Sequence, residues 1–132
     1  MQTHAPKILA IDDDPDFLEF IRIILEAQGY DVVWAYNAEQ GLALMRTEQP
    51  DLVLLDLLIS YAMQGLDIRR EMGQDEELRQ IPLIVVSSVL TEASGLQNGD
   101  ERAPPILACL SKPIEPGELL RLIAEVVPPP GE

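Results

Sequence analysis

Ile8-Leu9-Ala10-Ile11-Asp12-Asp13-Asp14-Pro15 places a strand, a polar turn and a helix start in one stretch. Its four apolar residues leave neither alternating face polar, as in a strand of a parallel sheet covered on both sides. Asp14-Pro15 then offers an N-cap followed by proline at the first helical position. Beyond it Phe17, Phe20, Ile21 and Ile24 recur at helical spacing, and Gly29 is placed to end the helix. A strand that runs through acidic residues straight into a helix is one βα unit.

The alternation continues along the chain. Val32-Val33-Trp34, Leu52-Val53-Leu54-Leu55, Leu83-Ile84-Val85-Val86 and Ile106-Leu107-Ala108-Cys109-Leu110 are further short apolar runs. Between them, Asn37 can cap a helix with Ala38, Leu42 and Met45 on one face and Pro50 as a stop, and Leu66 to Met72 is a shorter candidate. Leu119, Leu122, Ile123 and Val126 repeat the spacing in a last helix that stops before Pro128-Pro129-Pro130. Five βα repeats predict an α/β domain built on a five-stranded, parallel, doubly wound sheet. Residues 7–127 read as that domain, 1–6 as an N-terminal extension and 128–132 as a disordered tail, with no output domain after it. The segment from Thr91 to Pro105 fits least well, because Gly95, Gly99, Pro104 and Pro105 support only a short or broken helix.

Composition narrows the function. The 132 residues are 47% hydrophobic, enough for a real core, and 9 Lys+Arg against 23 Asp+Glu give a net charge of −14. So acidic a surface repels phosphate backbones and anionic lipid, which argues against direct binding of nucleic acid or membrane. A single cysteine excludes an internal disulfide, and no apolar run approaches the ~18 residues of a membrane span. Met1 to Lys7 lacks the apolar stretch of a signal peptide. The expectation is a soluble cytoplasmic protein. Cys109, in an apolar run, reads as core without a redox role, and His4 as incidental.

In a doubly wound sheet, ligands bind at the carboxyl ends of the strands. The polar residues there are Asp12 and Asp13 after the first run, Asp56 after the third, Ser87 after the fourth and Lys112 beyond the fifth. Singly, each has a plain explanation: strand-end aspartates form turns and caps, and a lysine is usually a solvated charge. Their specificity lies in falling together at the ends of four βα units. With the first and third strands adjacent, three carboxylates converge, and each pair ~5 Å apart repels by roughly 3 kcal/mol at an effective dielectric of 20. Such a cluster must protonate, recruit a basic group or bind a cation, and a hard dication, Mg²⁺ first, answers it best. Metal, ammonium, hydroxyl and a carboxylate nucleophile are the parts of a phosphoryl transfer, with Asp56 as the attacking group.

Lys7-Ile8-Leu9-Ala10-Ile11-Asp12-Asp13-Asp14-Pro15 resembles the opening of a response-regulator receiver domain of two-component signalling. Pro50-Asp51-Leu52-Val53-Leu54-Leu55-Asp56 resembles its phosphoacceptor strand, Ile81 to Ser88 the strand ending in its switch hydroxyl, and Ser111-Lys112-Pro113 its Lys-Pro. The resemblance implies the flavodoxin-like strand order 2-1-3-4-5. It implies that Asp56 is phosphorylated by a partner histidine kinase or histidine phosphotransfer protein, and that the result is read by another, unnamed protein. It further implies that Asp13 binds Mg²⁺ directly and Asp12 mainly through water, with Asp56 and the main-chain carbonyl of Leu58 as further ligands. Ser87 and Lys112 then hold the phosphoryl oxygens, and the Lys112–Pro113 bond is cis. Such a chain is no enzyme beyond its own phosphorylation and dephosphorylation.

Three departures from the family pattern stand out. The loop from Leu57 to Gly65 is a residue longer and lacks the usual proline, Cys109 replaces an aromatic, and the span from Ser87 to Lys112 is long. With no ring at 109 to rotate, the output is expected in Thr91–Pro105. Two other readings compete. A pseudo-receiver adaptor would have the fold without phosphorylation, but the complete constellation weighs against it. A haloacid-dehalogenase-type phosphatase would use Asp12 and Asp14, but it needs an acidic pair after the lysine, where only Glu115, Glu118, Glu125 and Glu132 remain.

Overall fold

A computed structural model describes residues 5–56, 64–87 and 104–129, with residues 64–67 by backbone alone. The strands are β1 (Lys7–Ile11), β2 (Asp31–Ala35), β3 (Leu52–Asp56), β4 (Leu83–Ser87) and β5 (Ile106–Ser111). Helices α1 (Pro15–Glu26), α2 (Ala38–Glu48), α3 (Gln64–Gly73) and α4 (Pro116–Val126) lie between and after them, with a 3₁₀ turn at Leu78–Gln80. All neighbouring strands are parallel, in the order β2-β1-β3-β4-β5, as the resemblance implied. The predicted broken helix at Thr91–Pro105 lies outside the described residues except for Pro104 and Pro105, and so do His4, Leu58 and the tail from Pro130. Among the described residues, no helix is long and apolar enough to cross a membrane.

The local signals act as their chemistry dictates. Asp14 caps α1 by accepting a hydrogen bond from the Asp16 amide at 3.0 Å, with Pro15 at the first helical position. Asn37 caps α2 in the same way, accepting from the Gln40 amide at 2.8 Å. Beyond α1, Gly29 takes φ 95°, and α2 ends ahead of Pro50 at Gln49, which adopts φ 49°. The Lys112–Pro113 bond is cis.

Two apolar layers enclose the sheet. Alternate residues Ile8, Ala10, Leu52, Leu54, Ile84 and Val86 point to α1 and α4, meeting Leu18, Ile21, Leu25, Leu119 and Ile123. The opposite residues Leu9, Ile11, Val53, Leu55 and Leu83 meet Met45, Ile68 and Met72 from α2 and α3. The stripe of α1 is centred differently from the sequence expectation. Leu18, Ile21 and Leu25 are its buried line, while Phe17, Phe20 and Ile24 pack partly buried along its margin. On α2 the backbone itself approaches the sheet, since a Cβ on Gly41 would stand 2.5 Å from Ile11 Cδ1. Cys109 corrects a second expectation: β5 is an edge strand, and the cysteine lies exposed on it. Its thiol is nonetheless desolvated enough to raise its pKa, with Arg69 pulling the other way.

Candidate phosphoacceptor site

Parallel strands end at the same side of the sheet, so residues that follow them meet there. Ile11 pairs with Leu55, which sets Asp12 beside Asp56 across the β1–β3 ladder. Asp56 is the last residue of β3 and pairs with Val86, placing Ser87 one step further along β4. Ser87 in turn pairs with Ser111, and its carbonyl accepts from the Lys112 amide at 3.0 Å. Thus the sheet register alone brings the strand-end residues named from the sequence to one edge.

The side chains complete the arrangement. Asp12, Asp56 and Ser87 are buried, Asp13 is exposed, and Lys112 is partly buried. One carboxylate oxygen each from Asp12, Asp13 and Asp56 lies within 4.8 Å of the others. The Lys112 ammonium donates to Asp12 Oδ2 at 2.6 Å and stands 3.7 Å from Asp56 Oδ2. The other oxygen of Asp12, Oδ1, accepts from the Asp14 amide at 2.9 Å, and the Asp12 amide donates to the Ala35 carbonyl at 3.1 Å. Asp12 is therefore held at both carboxylate oxygens, whereas Asp14 caps α1. Among the described residues Asp14 is not part of the carboxylate cluster, which weighs against the phosphatase reading that would pair it with Asp12.

Three carboxylates and one ammonium leave the cluster with an excess of negative charge, and its donors are all hard oxygens. That donor set fits Mg²⁺, which favours carboxylates and water. Ser87 adds a hydroxyl at the end of β4 without adding charge. An anionic carboxylate cluster whose oxygens suit a hard cation, with a lysine at its rim, offers the parts that phosphoryl transfer needs.

The family model for the response regulator receiver domain matches residues 8–124. The chain belongs to that family. Receiver domains are generally non-enzymatic signalling modules that work with histidine kinases or phosphotransfer proteins and bind Mg²⁺ in an acidic cluster. This receiver domain is 32% identical over 120 residues to the DNA-binding response regulator MtrA of Mycolicibacterium smegmatis, covering 91% of this chain and 50% of that one. It therefore spans about half the length of the DNA-binding relatives it matches. It is 31% identical over 121 residues to Protein PilH of Pseudomonas aeruginosa, covering 92% of this chain and 97% of PilH. The receiver domain of the sensor histidine kinase PA1611 from P. aeruginosa PAO1 superimposes with a TM-score of 0.75 at 22% identity, covering 94% and 98% of the two chains. That likeness bears on the fold; the neighbour itself carries a magnesium ion in its active-site cleft.

Two features of the site escaped the sequence. Lys112 bonds to Asp12 rather than standing nearest Asp56, and its ammonium lies over the Phe17 ring, 4.2 Å from the centroid. Phe17 sits on the apolar period of α1, so nothing in the spacing separated it from ordinary core residues.

Proposed function

We propose that this receiver domain accepts a phosphoryl group on Asp56 from a phosphohistidine of a histidine kinase or histidine phosphotransfer protein. The observation that carries the reading is the convergence of Asp12, Asp13, Asp56 and Lys112 at one sheet edge. An Asp56 oxygen forms the new O–P bond while the P–N bond to the donor imidazole breaks. The bonding pair returns to the imidazole nitrogen, which takes a proton from water, so the acceptor needs no general base. Asp13 and Asp56 are the direct Mg²⁺ ligands in this reading, and Asp12, already bonded at both oxygens, acts through water. Bound there, Mg²⁺ supplies positive charge against the phosphoryl oxygens. Lys112 moves its ammonium from Asp12 toward the phosphoryl group, and the Ser87 hydroxyl donates to a further oxygen.

The module catalyses only its own phosphorylation and dephosphorylation, in the cytoplasm, and passes the signal on by contact with a downstream protein. Incubation with Mg²⁺ and phosphoramidate tests the assignment. Mass spectrometry should find one acid-stable, base-labile phosphoryl group, mapped to Asp56 and missing from Asp56→Asn. A phosphoryl group mapped to Asp12, or full labelling of Asp56→Asn, overturns it.

A further inference from the structure

We propose that Phe17 is a positioning residue for Lys112, holding the ammonium between Asp12 and the phosphoacceptor by the face of its ring. The inference rests on the phosphotransfer role of Lys112 proposed above and adds a residue to it. Lysine carries its charge on a flexible four-carbon stem, so its position must come from its surroundings. Among the described residues the ammonium stands near Asp12 Oδ2 at 2.6 Å, Asp56 Oδ2 at 3.7 Å and the Phe17 ring centroid at 4.2 Å. The negative face of an aromatic ring attracts a cation at that distance, and more strongly when water is partly excluded. The Lys112 side chain is 21% exposed, so this contact is largely shielded.

The ring is well placed to act as a fixed floor. It belongs to the first turn of α1, whose start is pinned by the Asp14 cap and Pro15, and it leans on Phe20 with centroids 6.2 Å apart. Packing alone does not account for it. The buried line of α1 is Leu18, Ile21 and Leu25, while Phe17 stands half-buried at the margin with the cation over it. A leucine would fill that margin but would offer the ammonium nothing. The ring also differs from a further carboxylate in one useful respect. It holds the ammonium without neutralising it, so the full charge stays available to phosphoryl oxygens on Asp56.

The chain has only two lysines, Lys7 and Lys112, which makes the contact directly visible. With ¹³C-labelled lysine, the Lys112 ε-methylene protons should resonate upfield of those of Lys7 because of the ring current. Phe17→Leu and Phe17→Met should abolish that displacement, and Phe17→Tyr should keep it. In phosphorylation by phosphoramidate with Mg²⁺, the two ringless variants should react about fivefold more slowly, and the tyrosine variant at nearly the native rate. Ringless variants with the native rate, or a tyrosine variant as slow as the leucine one, would overturn the proposal. So would native Lys112 ε-methylene protons without an upfield displacement. Lys112→Met separates the two levels. If it is phosphorylated at the native rate, the role given to Lys112 is wrong; if it is slow while Phe17→Leu is not, only the role of Phe17 falls.

Discussion

Replacing Asp13 by asparagine should stabilise the metal-free protein while removing its response to Mg²⁺. The carboxylates of Asp12, Asp13 and Asp56 each place an oxygen within 4.8 Å of the others, and Lys112 lies 2.6 Å from Asp12 and 3.7 Å from Asp56. At 4.8 Å a pair of like charges repels by about 1 kcal/mol with water-like screening and by roughly 3.5 kcal/mol at an effective dielectric of 20. Asp13 is exposed, so the lower figure governs its two pairs, and relief of this repulsion is worth at most about 2 kcal/mol, less what the partner of Asp13 contributes. For a domain of this size that is a rise in melting temperature of at most roughly 6–10 °C. Asparagine keeps an acceptor oxygen in place, which limits the loss of whatever hydrogen bonding Asp13 makes. Asp14→Asn is the matched control, since asparagine caps a helix as well as aspartate and Asp14 lies outside the cluster. Thermal melts in chelator and in excess Mg²⁺, at low ionic strength to limit screening, read both effects. Mg²⁺ should raise the native and Asp14→Asn midpoints by binding the folded state, and leave Asp13→Asn almost unmoved. A lower metal-free midpoint for Asp13→Asn, or equal Mg²⁺ responses in the two variants, would refute the cluster as the origin of the effect.

Three other outcomes follow from the packing. Gly41→Ala should lower the unfolding free energy measured in urea by on the order of 1 kcal/mol, because the new methyl meets buried Ile11 and the overpacking exceeds the gain in helix propensity. Tyr30→Phe should cost about 1 kcal/mol in the same assay, since the buried Tyr30 hydroxyl donates to the Val127 carbonyl at 2.6 Å and ties the end of α4 to the start of β2. Cys109 should react with iodoacetamide more slowly at pH 8 than a small free thiol, with the rate still climbing where the free thiol has levelled off. Its pKa is raised, so less thiolate is present at any given pH, and a rate equal to the free thiol's would contradict the desolvation.

The strands and the polar residues at their ends were legible because both follow from short-range rules. Runs such as Leu52-Val53-Leu54-Leu55 are apolar on both faces only if both faces are covered, and the first polar residue after such a run must lie at the sheet edge. The caps were equally local, with Asp14 and Asn37 bonding amides two and three residues on. What depended on tertiary placement was less visible. The stripe of α1 is wide enough that seven apolar positions compete for its centre, and the choice of Leu18, Ile21 and Leu25 is made by the facing strands and α4. Cys109 was misread because an apolar run looks the same in an edge strand as in a central one. Tyr30 escaped for a related reason: its hydroxyl partner lies 97 residues away.

Lys112 shows how the distance between charges, rather than their presence, sets the resting state of the site. A single ammonium among three carboxylates can meet two buried ones, Asp12 and Asp56. The 2.6 Å bond to Asp12 and the 3.7 Å separation from Asp56 show that it rests on Asp12. In the reading proposed above, a lysine drawn toward a phosphoryl group would leave Asp12 with its Asp14 amide bond and without its cation. A buried carboxylate is costly without a positive charge beside it. A cation held by the neighbouring carboxylates would supply that charge, so metal binding and lysine release would be coupled through Asp12. Such coupling would give the proposed transfer a reason to require the cation, over and above its direct effect on the phosphoryl oxygens.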